Sequence, residues 1–217
     1  LLVGAMLGAG VSGKLADTLG RRLLILLGGI VFVIGTLGAA LGVNVAMLVG
    51  FRFVMGVGVG IVSVVVPMYL SELAPARIRG RLTSLMQLLV TVGIFLAYVT
   101  DFAFAESRDW RWMIGLGVIP AVILAIGIYT QPESPRWLVA QKPDGGEEDA
   151  RVVLERLRGT PEAAEAELSE IRESVRVERE NTEKVAIGTL FSPRLRRLTL
   201  IGMLLVFFQN FVGINTI

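Results

Sequence analysis

The stretch Pro67-Met-Tyr-Leu-Ser-Glu72-Leu-Ala-Pro75-Ala-Arg77-Ile-Arg79-Gly80 separates two long apolar runs and combines charged residues with residues that break helices. Each flanking run is long enough to cross a bilayer, since a spanning helix needs about 20 mostly apolar residues. A soluble protein would rarely place segments of that length on both sides of one turn. The stretch therefore predicts a turn at a membrane surface.

The composition indicates the same class of protein. Hydrophobic residues make up 53% of the 217 residues, charged residues make up 18%, and the mean hydropathy is +0.68, which is too apolar for an ordinary soluble domain. The net charge of +2 does not indicate a nucleic-acid partner, because the basic residues form short clusters beside apolar runs. Cys and His are absent from the sequence, so thiol nucleophiles, disulfides and the usual zinc ligand sets are excluded. We expect no cofactor and no metal.

The apolar runs predict an all-α, polytopic transmembrane helical bundle. Four runs are long enough for full spans, and they lie at residues 23–43, 45–66, 82–104 and 112–130. Partial spans lie at residues 1–12 and 196–217. Because the chain starts and stops inside apolar runs, we expect a fragment of a longer protein.

The charged links predict the orientation of these spans. Links 13–22, 72–81 and 131–197 carry most of the basic residues and are expected to face the cytoplasm. The Val43-Asn44 turn and link 105–111 are expected to face outward. The sequence therefore predicts a multi-pass protein of the cell membrane.

The long link at residues 131–195 is expected to be cytoplasmic and to contain amphipathic helices. Thr160 and Pro161 are typical of an N-cap followed by the first helical position. Apolar residues then recur at the spacing of one helix face, at Ala164, Leu168, Ile171 and Val175. A solvated linker is the alternative, but an apolar face needs something to cover it. We therefore favour a small helical unit on the cytoplasmic ends of the bundle.

Two glycine-rich motifs lie within the predicted bundle. Gly13-Lys-Leu-Ala-Asp17-Thr-Leu-Gly20-Arg21-Arg22 joins two spans, with glycines at both ends of a predicted short turn. Arg52-Phe-Val-Met-Gly56-Val-Gly58-Val-Gly60 places an arginine about 10 Å inside a span and follows it with alternating glycines. No strand precedes these glycines, so a dinucleotide-binding loop is not indicated, and close helix packing is predicted instead. Arg52 is a candidate functional residue, with a structural ion pair as the alternative.

Further motifs follow along the chain: Pro67-x-Tyr-x2-Glu72-x2-Pro75-x3-Arg79-Gly80, Trp110-Arg-Trp112, Pro132-Glu-Ser-Pro-Arg136-Trp137-Leu138 and Gln209-Asn-x2-Gly213-Ile-Asn215. Taken in order with the two glycine motifs, they resemble the sugar porter branch of the major facilitator superfamily over essentially the whole chain. The resemblance implies that residues 1–130 belong to the N-terminal half of the bundle, without its first helix. Residues 131–195 are then the cytoplasmic linker, and residues 196–217 begin the C-terminal half as the seventh transmembrane helix.

Amides in the apolar runs are candidates for sugar binding. A sugar presents hydroxyl groups around a nearly apolar ring, and amides both donate and accept hydrogen bonds. Gln87 and Gln209 qualify, although an interhelical hydrogen bond explains them equally well from the residues alone. The resemblance favours the sugar and implies five contact residues: Gln87, Ile94, Gln209, Asn210 and Asn215. The family more often has Gln where this chain has Asn210, so the identity of the sugar stays open.

The resemblance also implies a proton-coupling residue and a cytoplasmic gate. Arg52 matches a position that neighbours an acid on the first helix in proton-coupled members of the family. In the family, charged residues of the gate form ion pairs in the outward-open state. The implied gate residues are Gly13, Asp17, Gly20, Arg21, Arg22, Glu72, Arg79, Glu133 and Arg136. Within this set Glu72 is expected to pair with a neighbouring turn, such as the Arg21-Arg22 pair, rather than with Arg79.

The sequence therefore predicts a secondary transporter, not an enzyme, that moves a monosaccharide or polyol by alternating access with proton symport. A facilitated-diffusion uniporter and a non-transporting sugar sensor of the same fold are the alternatives. A membrane-embedded enzyme is disfavoured because the sequence lacks His, Cys and a pair of acids at membrane depth. The expected partners are the sugar, the proton, the lipid bilayer and the missing C-terminal half of the same protein.

Overall fold

The computed structural model describes residues 1–106, 109–142, 145–180 and 196–211, and their side chains except those of 76 and 205–211. Within these ranges the regular secondary structure is helical, which confirms the predicted all-α fold. The helices are α1 Leu2–Leu19, α2 Arg21–Ala40, α3 Val45–Leu73, α4 Ala76–Ala105, α5 Trp110–Gly115, α6 Val118–Tyr129, α7 Pro135–Gln141, α8 Gly146–Arg158, α9 Pro161–Glu180 and α10 Arg196–Phe211.

Four segments of the described chain are long and apolar enough to cross a membrane, and each overlaps one of the four predicted full spans. They are Arg21–Ala40, Val45–Leu73, Arg77–Ala105 and Trp110–Tyr129. The last segment consists of α5 and α6, which meet at Leu116 and Gly117. Pro120 explains the interruption, because it lacks the N–H group that would bond to the carbonyl of Leu116.

The turn between α1 and α2 is a single residue, Gly20. The prediction that Gly13 begins this turn was wrong: Gly13 lies inside α1, because glycine only weakens a helix and the chain does not leave helical geometry until Gly20. Gly20 has a φ of 91°, a backbone conformation that L side chains rarely adopt. A Cβ at Gly20 would also lie 2.5 Å from Oε2 of Glu133. The chain direction therefore reverses at a position that only glycine fits.

The predicted turn at residues 67–80 is also shorter than expected. Helix α3 continues through Pro67 to Leu73, and only Ala74 and Pro75 separate it from α4. A proline within a helix removes one backbone hydrogen bond, and membrane helices tolerate this loss where neighbouring groups compensate. The helix ends at Ala74 because the residue before a proline is pushed toward extended conformations, and Ala74 has φ −72° and ψ 128°.

The predicted close packing at the glycine motif is confirmed. A Cβ at Gly56 would lie 2.0 Å from the carbonyl oxygen of Leu1, and one at Gly60 would lie 2.2 Å from that of Ala5. A Cβ at Gly58 would lie 2.7 Å from the carbonyl oxygen of Gly28. Since residues 56 and 60 are one turn apart, α1 packs on one face of α3 and α2 packs on another.

Helices α7, α8 and α9 form a small apolar core of their own. Its buried members are Leu138, Ala150, Val153, Leu154, Ala164 and Leu168. The predicted apolar face of α9 is confirmed, since Ile171 packs against this core and Val175 is buried as well. The predicted N-cap is also confirmed, because the Ala163 amide donates to Oγ1 of Thr160 at 3.4 Å.

The chain divides into two compact units, Leu1–Val175 and Arg176–Ile217. The first unit contains α1 to α8 and most of α9. The second contains the end of α9 and α10, which covers the start of the predicted partial span at 196–217. Residues 212–217 of that span lie outside the described residues.

Candidate functional site

A buried arginine joins the ends of three helices in the first unit. Arg21 donates from Nε to Oε2 of Glu72 at 3.1 Å and from Nη2 to Oε1 at 3.2 Å. The two side chains are 9% and 11% exposed. Nη1 donates to the carbonyl of Ala16 at 3.0 Å and lies 3.3 Å from Oδ1 of Asp17. The start of α2 is thereby tied to the end of α3 by a two-pronged ion pair, and to the end of α1.

Glu133 lies in the chain segment before α7, and its side chain binds the first turn of α2. Its carboxylate accepts hydrogen bonds from the backbone N–H groups of Arg21 at 3.0 Å and Arg22 at 3.1 Å. These groups have no partner within their own helix, and the positive end of the helix dipole favours a carboxylate there. The side chain of a distant residue therefore caps α2.

Ser134 brings α7 to the same place. It is buried, its hydroxyl donates to Oε2 of Glu72, and it also caps α7 by accepting from the Trp137 amide. The indole N–H of Trp137 donates to the backbone carbonyl of Asp17 at 2.8 Å. We call Asp17, Arg21, Glu72, Glu133 and Ser134 the Arg21 cluster. The cluster joins α1, α2, α3 and α7, because the donors and acceptors of its members bond to one another.

Tyr69 supports the cluster from α3. Its ring is buried in the apolar core, and its hydroxyl donates to the carbonyl of Pro132 at 2.6 Å. This bond fixes the segment that carries Glu133 and Ser134.

The structure brings some of the predicted gate residues together and leaves others apart. Asp17, Gly20, Arg21, Glu72 and Glu133 meet, and the predicted pairing of Glu72 with the Arg21-Arg22 turn is confirmed for Arg21. Two predicted gate residues lie outside these contacts: Gly13, within α1, and Arg79, exposed at the start of α4. Arg136 is exposed at the start of α7.

Arg22 diverges from Arg21 although the two are adjacent. Its backbone N–H bonds to Glu133, but its Nη2 donates to the carbonyl of Tyr129 at 2.6 Å. The guanidinium lies 5.6 Å from the centre of the Tyr129 ring. The side chain of Arg22 therefore faces α6 and not Glu72.

The other predicted site residues lie away from the Arg21 cluster. Gln87 and Ile94 are on the exposed surface of α4, and Arg52 is exposed near the start of α3. Gln209 and Asn210 belong to α10 in the second unit, where the structure describes the backbone only. Asn215 lies outside the described residues.

Sequence reasoning missed the roles of four residues: Tyr69, Ser134, Trp137 and Arg158. The first three stand inside motifs that were recognised, so polar or aromatic residues within those motifs were an available signal. Arg158 carried none, because it resembles the many other arginines of the charged linker.

Arg158 attaches α8 to the end of α3. It donates to both oxygens of Glu167 on α9 and from Nη1 to the carbonyl of Leu73 at 3.1 Å. Its side chain is 8% exposed. Leu73 is the last residue of α3, so this bond satisfies one of the carbonyls that a helix end leaves without a partner.

Replacing Arg158 with Met is expected to loosen α8 and α9 from the bundle, because the apolar stem is kept while the bonds to Glu167 and Leu73 are lost. Limited proteolysis should cut within residues 145–180 at least several times faster than in the unmodified chain. Arg156→Met is the matched control, since Arg156 is exposed on the same helix. Equal cleavage rates in both variants would contradict the attachment.

Comparisons with known proteins agree with this architecture. The sequence profile of a family described as "Sugar (and other) transporter" matches residues 1–217. The chain belongs to this family. It is 46% identical to the glucose transporter GlcP of Staphylococcus epidermidis, over 100% of this chain and 47% of the relative. It is 42% identical to the galactose-proton symporter of Escherichia coli, over 100% of this chain and 45% of the relative.

Solved structures give the same result for the fold. The proton:xylose symporter XylE of the major facilitator superfamily, bound to 6-bromo-6-deoxy-D-glucose, matches with a TM-score of 0.82 and 31% identity. This match covers 99% of the chain and 49% of XylE. A partially occluded, inward-open conformation of XylE from Escherichia coli matches with a TM-score of 0.83, again at 31% identity, over 99% of the chain and 52% of that protein.

The predicted family and fold are therefore confirmed, and the chain is a member of a transporter family rather than an enzyme. Members of the family are integral membrane proteins, in agreement with the four apolar segments. The chain spans about half the length of the curated relatives it matches.

Proposed function

We propose that this chain is the N-terminal part of a transporter that moves a monosaccharide or polyol across the cell membrane by alternating access, with proton symport. The observation that carries the proposal is the family match over the whole chain, together with 42% identity to proteins named galactose-proton and arabinose-proton symporters. In this proposal residues 1–130 belong to the first half of the bundle, residues 131–195 are the linker, and residues 196–217 begin the second half.

The Arg21 cluster is proposed to face the cytoplasm. The basic links at residues 13–22, 72–81 and 131–197 support this orientation. Arg52 is proposed to take part in proton coupling from the opposite half of α3, because a carboxylate beside an arginine can alternate between a protonated and a paired state.

The Arg21 cluster is proposed to be the cytoplasmic gate. Its bonds join the ends of α1, α2 and α3 to the start of α7, so separation of these ends would break them together. A set of pairs that exists in one state and not in the other biases a two-state equilibrium toward the state that has them. Arg136 is proposed to belong to the gate from the start of α7. Arg79 lies outside these contacts, and a gate role for it requires a different state of the protein.

Gln87, Ile94, Gln209, Asn210 and Asn215 are proposed to contact the sugar. Support from the first unit comes from α4, where Gln87 and Ile94 are exposed within a segment that is apolar enough to span a membrane. Thr91, four residues later on the same helix face, donates from Oγ1 to the backbone carbonyl of Gln87 at 3.1 Å.

The sugar contact of Gln87 can be tested in vesicles that contain the complete transporter. Gln87→Ala is expected to weaken uptake of one labelled hexose, pentose or inositol by roughly 10- to 100-fold, because a sugar hydroxyl loses its partner at a cost of about 1–3 kcal/mol. Gln131→Ala is the matched control, since Gln131 is an exposed amide outside the spanning helices.

Unchanged uptake in Gln87→Ala would remove this residue from the sugar site.

A pH gradient imposed across the same vesicles distinguishes proton symport from uniport, because it accelerates proton symport and leaves a uniporter unaffected. Absence of uptake for every sugar, with the protein correctly inserted, would favour the sensor.

A further inference from the structure

The surface of the bundle carries an apolar groove. One end of the groove lies beside Arg22, whose side chain does not reach Glu72. The groove has a volume of about 420 Å³ and lies between α2 and α6. Helix α2 lines it with residues that include Leu26 and Ile30, helix α6 lines it with residues that include Val122 and Ala125, and it extends to Tyr129.

Arg22 lies at the end of this groove. It precedes Leu26 by one helical turn, and side chains four residues apart share a helix face. Its guanidinium lies over the Tyr129 ring, which is part of the groove wall. Arg22 is in the first turn of the apolar segment Arg21–Ala40, so it lies at the depth where a membrane-spanning segment meets the headgroups.

Among the described residues, the guanidinium of Arg22 is not paired with a carboxylate. One N–H group donates to the backbone carbonyl of Tyr129, and the centre of the Tyr129 ring lies 5.6 Å from the guanidinium carbon. No carboxylate lies within 4.0 Å of this guanidinium among the residues that the structure describes. An arginine offers five donors in a planar fork that matches the oxygens of a phosphate group. Arg21, by contrast, uses its fork on Glu72.

We infer that this groove binds an anionic phospholipid, with an acyl chain between α2 and α6 and the phosphate on Arg22. The acyl chain matches the groove, which is apolar along its length, and the phosphate matches the cation at one end of the groove. Basic positions at the cytoplasmic ends of spanning helices attract anionic lipids. The site adjoins the Arg21 cluster, because the backbone N–H of Arg22 donates to Glu133, but the side chain of Arg22 faces α6, and the residues proposed to contact the sugar do not line the groove.

The test measures lipid binding to the purified chain in detergent by native mass spectrometry. Phosphatidylglycerol and phosphatidylcholine with identical acyl chains are added in turn, with glycerol 3-phosphate as a headgroup without chains. Phosphatidylglycerol is expected to bind at least tenfold more tightly than phosphatidylcholine, and glycerol 3-phosphate is expected not to bind at concentrations that saturate the lipid.

Two variants locate the site, and a third is the control. Arg22→Gln is expected to remove the preference for phosphatidylglycerol, and Ala125→Phe, which fills the groove, is expected to weaken binding of both lipids at least tenfold. Arg77→Gln removes the same charge from an exposed position at the start of α4 and is expected to leave binding unchanged. Ala125→Phe keeps every charge and hydrogen bond, so this variant still tests the groove if Arg22→Gln does not fold.

Three outcomes would overturn the inference. If Arg22→Gln and Arg77→Gln weaken the binding of phosphatidylglycerol equally, the lipid is attracted by the overall positive charge and not by one site. Unchanged binding in Ala125→Phe would place the lipid elsewhere. Binding of glycerol 3-phosphate as tight as that of the lipid would show a phosphate site that does not use the groove.

Discussion

Replacing Glu72 with Gln is expected to shift the complete transporter toward its cytoplasm-open state and to lower net sugar uptake. Glu72 accepts two hydrogen bonds from Arg21, and both side chains are nearly buried. Gln has nearly the same shape but leaves a buried guanidinium without its counter-charge, a loss of about 3–5 kcal/mol when nothing relaxes. If the Arg21 cluster is the proposed cytoplasmic gate, its opening lets water reach Arg21, and a population shift of roughly 100-fold is expected.

The shift can be measured with a thiol reagent that reaches the protein only from the cytoplasmic side. The sequence contains no Cys, so Gly80→Cys introduces a single probe at a position where a Cβ meets no other atom within 4 Å. Glu72→Gln is expected to accelerate labelling. Asp17→Asn is the matched control, because Asp17 lies 3.3 Å from the same guanidinium but is 60% exposed, and exposed pairs contribute only about 0–1 kcal/mol.

The opposite pattern would contradict the gate. If Glu72→Gln lowers the unfolding temperature in detergent and leaves the labelling rate unchanged, the pair stabilises the fold in every state. The matching replacement Arg21→Met in the Glu72→Gln background should then restore part of the lost stability, since removing both charges leaves neither buried alone.

Replacing Gly60 with Leu is expected to abolish the folded state of the first unit. A Cβ at Gly60 already lies 2.2 Å from a backbone carbonyl oxygen of α1, and backbone cannot rotate away as a side chain can. Helix α1 would have to move off α3, which removes the close contact that holds membrane helices together. We expect a loss of more than about 3 kcal/mol, seen as aggregation in size-exclusion chromatography or as a lower unfolding temperature.

Gly50→Leu is the matched control for this prediction. Gly50 lies in the same helix α3, and a Cβ there meets no other atom within 4 Å. Gly50→Leu changes the helix propensity by the same amount as Gly60→Leu, and it should leave the unfolding temperature nearly unchanged. Similar behaviour of the two variants would mean that helix propensity, and not the approach of α1 to α3, explains the effect at Gly60.

The positions of the spans could be predicted because they depend on local apolar length alone. The boundaries of the turns could not. The end of α1 at Gly20 depends on Glu133, which lies far along the chain and occupies the space that a side chain at residue 20 would need. Likewise Pro67 breaks helices in isolation, but α3 passes through it because the last turn of α3 is held by Arg21, Ser134 and Arg158.

The candidate site was predictable where opposite charges stood in recognised motifs, as for Arg21 and Glu72. Adjacent identical residues could not be told apart, and only the packing of α6 shows that Arg22 reaches Tyr129 instead. Arg158 and Arg156 also look alike in sequence. The first is nearly buried and the second exposed, a difference that arises when α8 meets the end of α3.

The glycine contacts of α3 have a mechanical consequence for the two ends of that helix. Backbone touches backbone at Gly56, Gly58 and Gly60, so no side-chain rotation can absorb a sliding motion of α1 or α2. Glu72 lies about 18 Å beyond Gly60 along the same helix. The three helices are therefore held together at the level of these glycines, and separation of their charged ends requires the helices to bend beyond the glycine contacts.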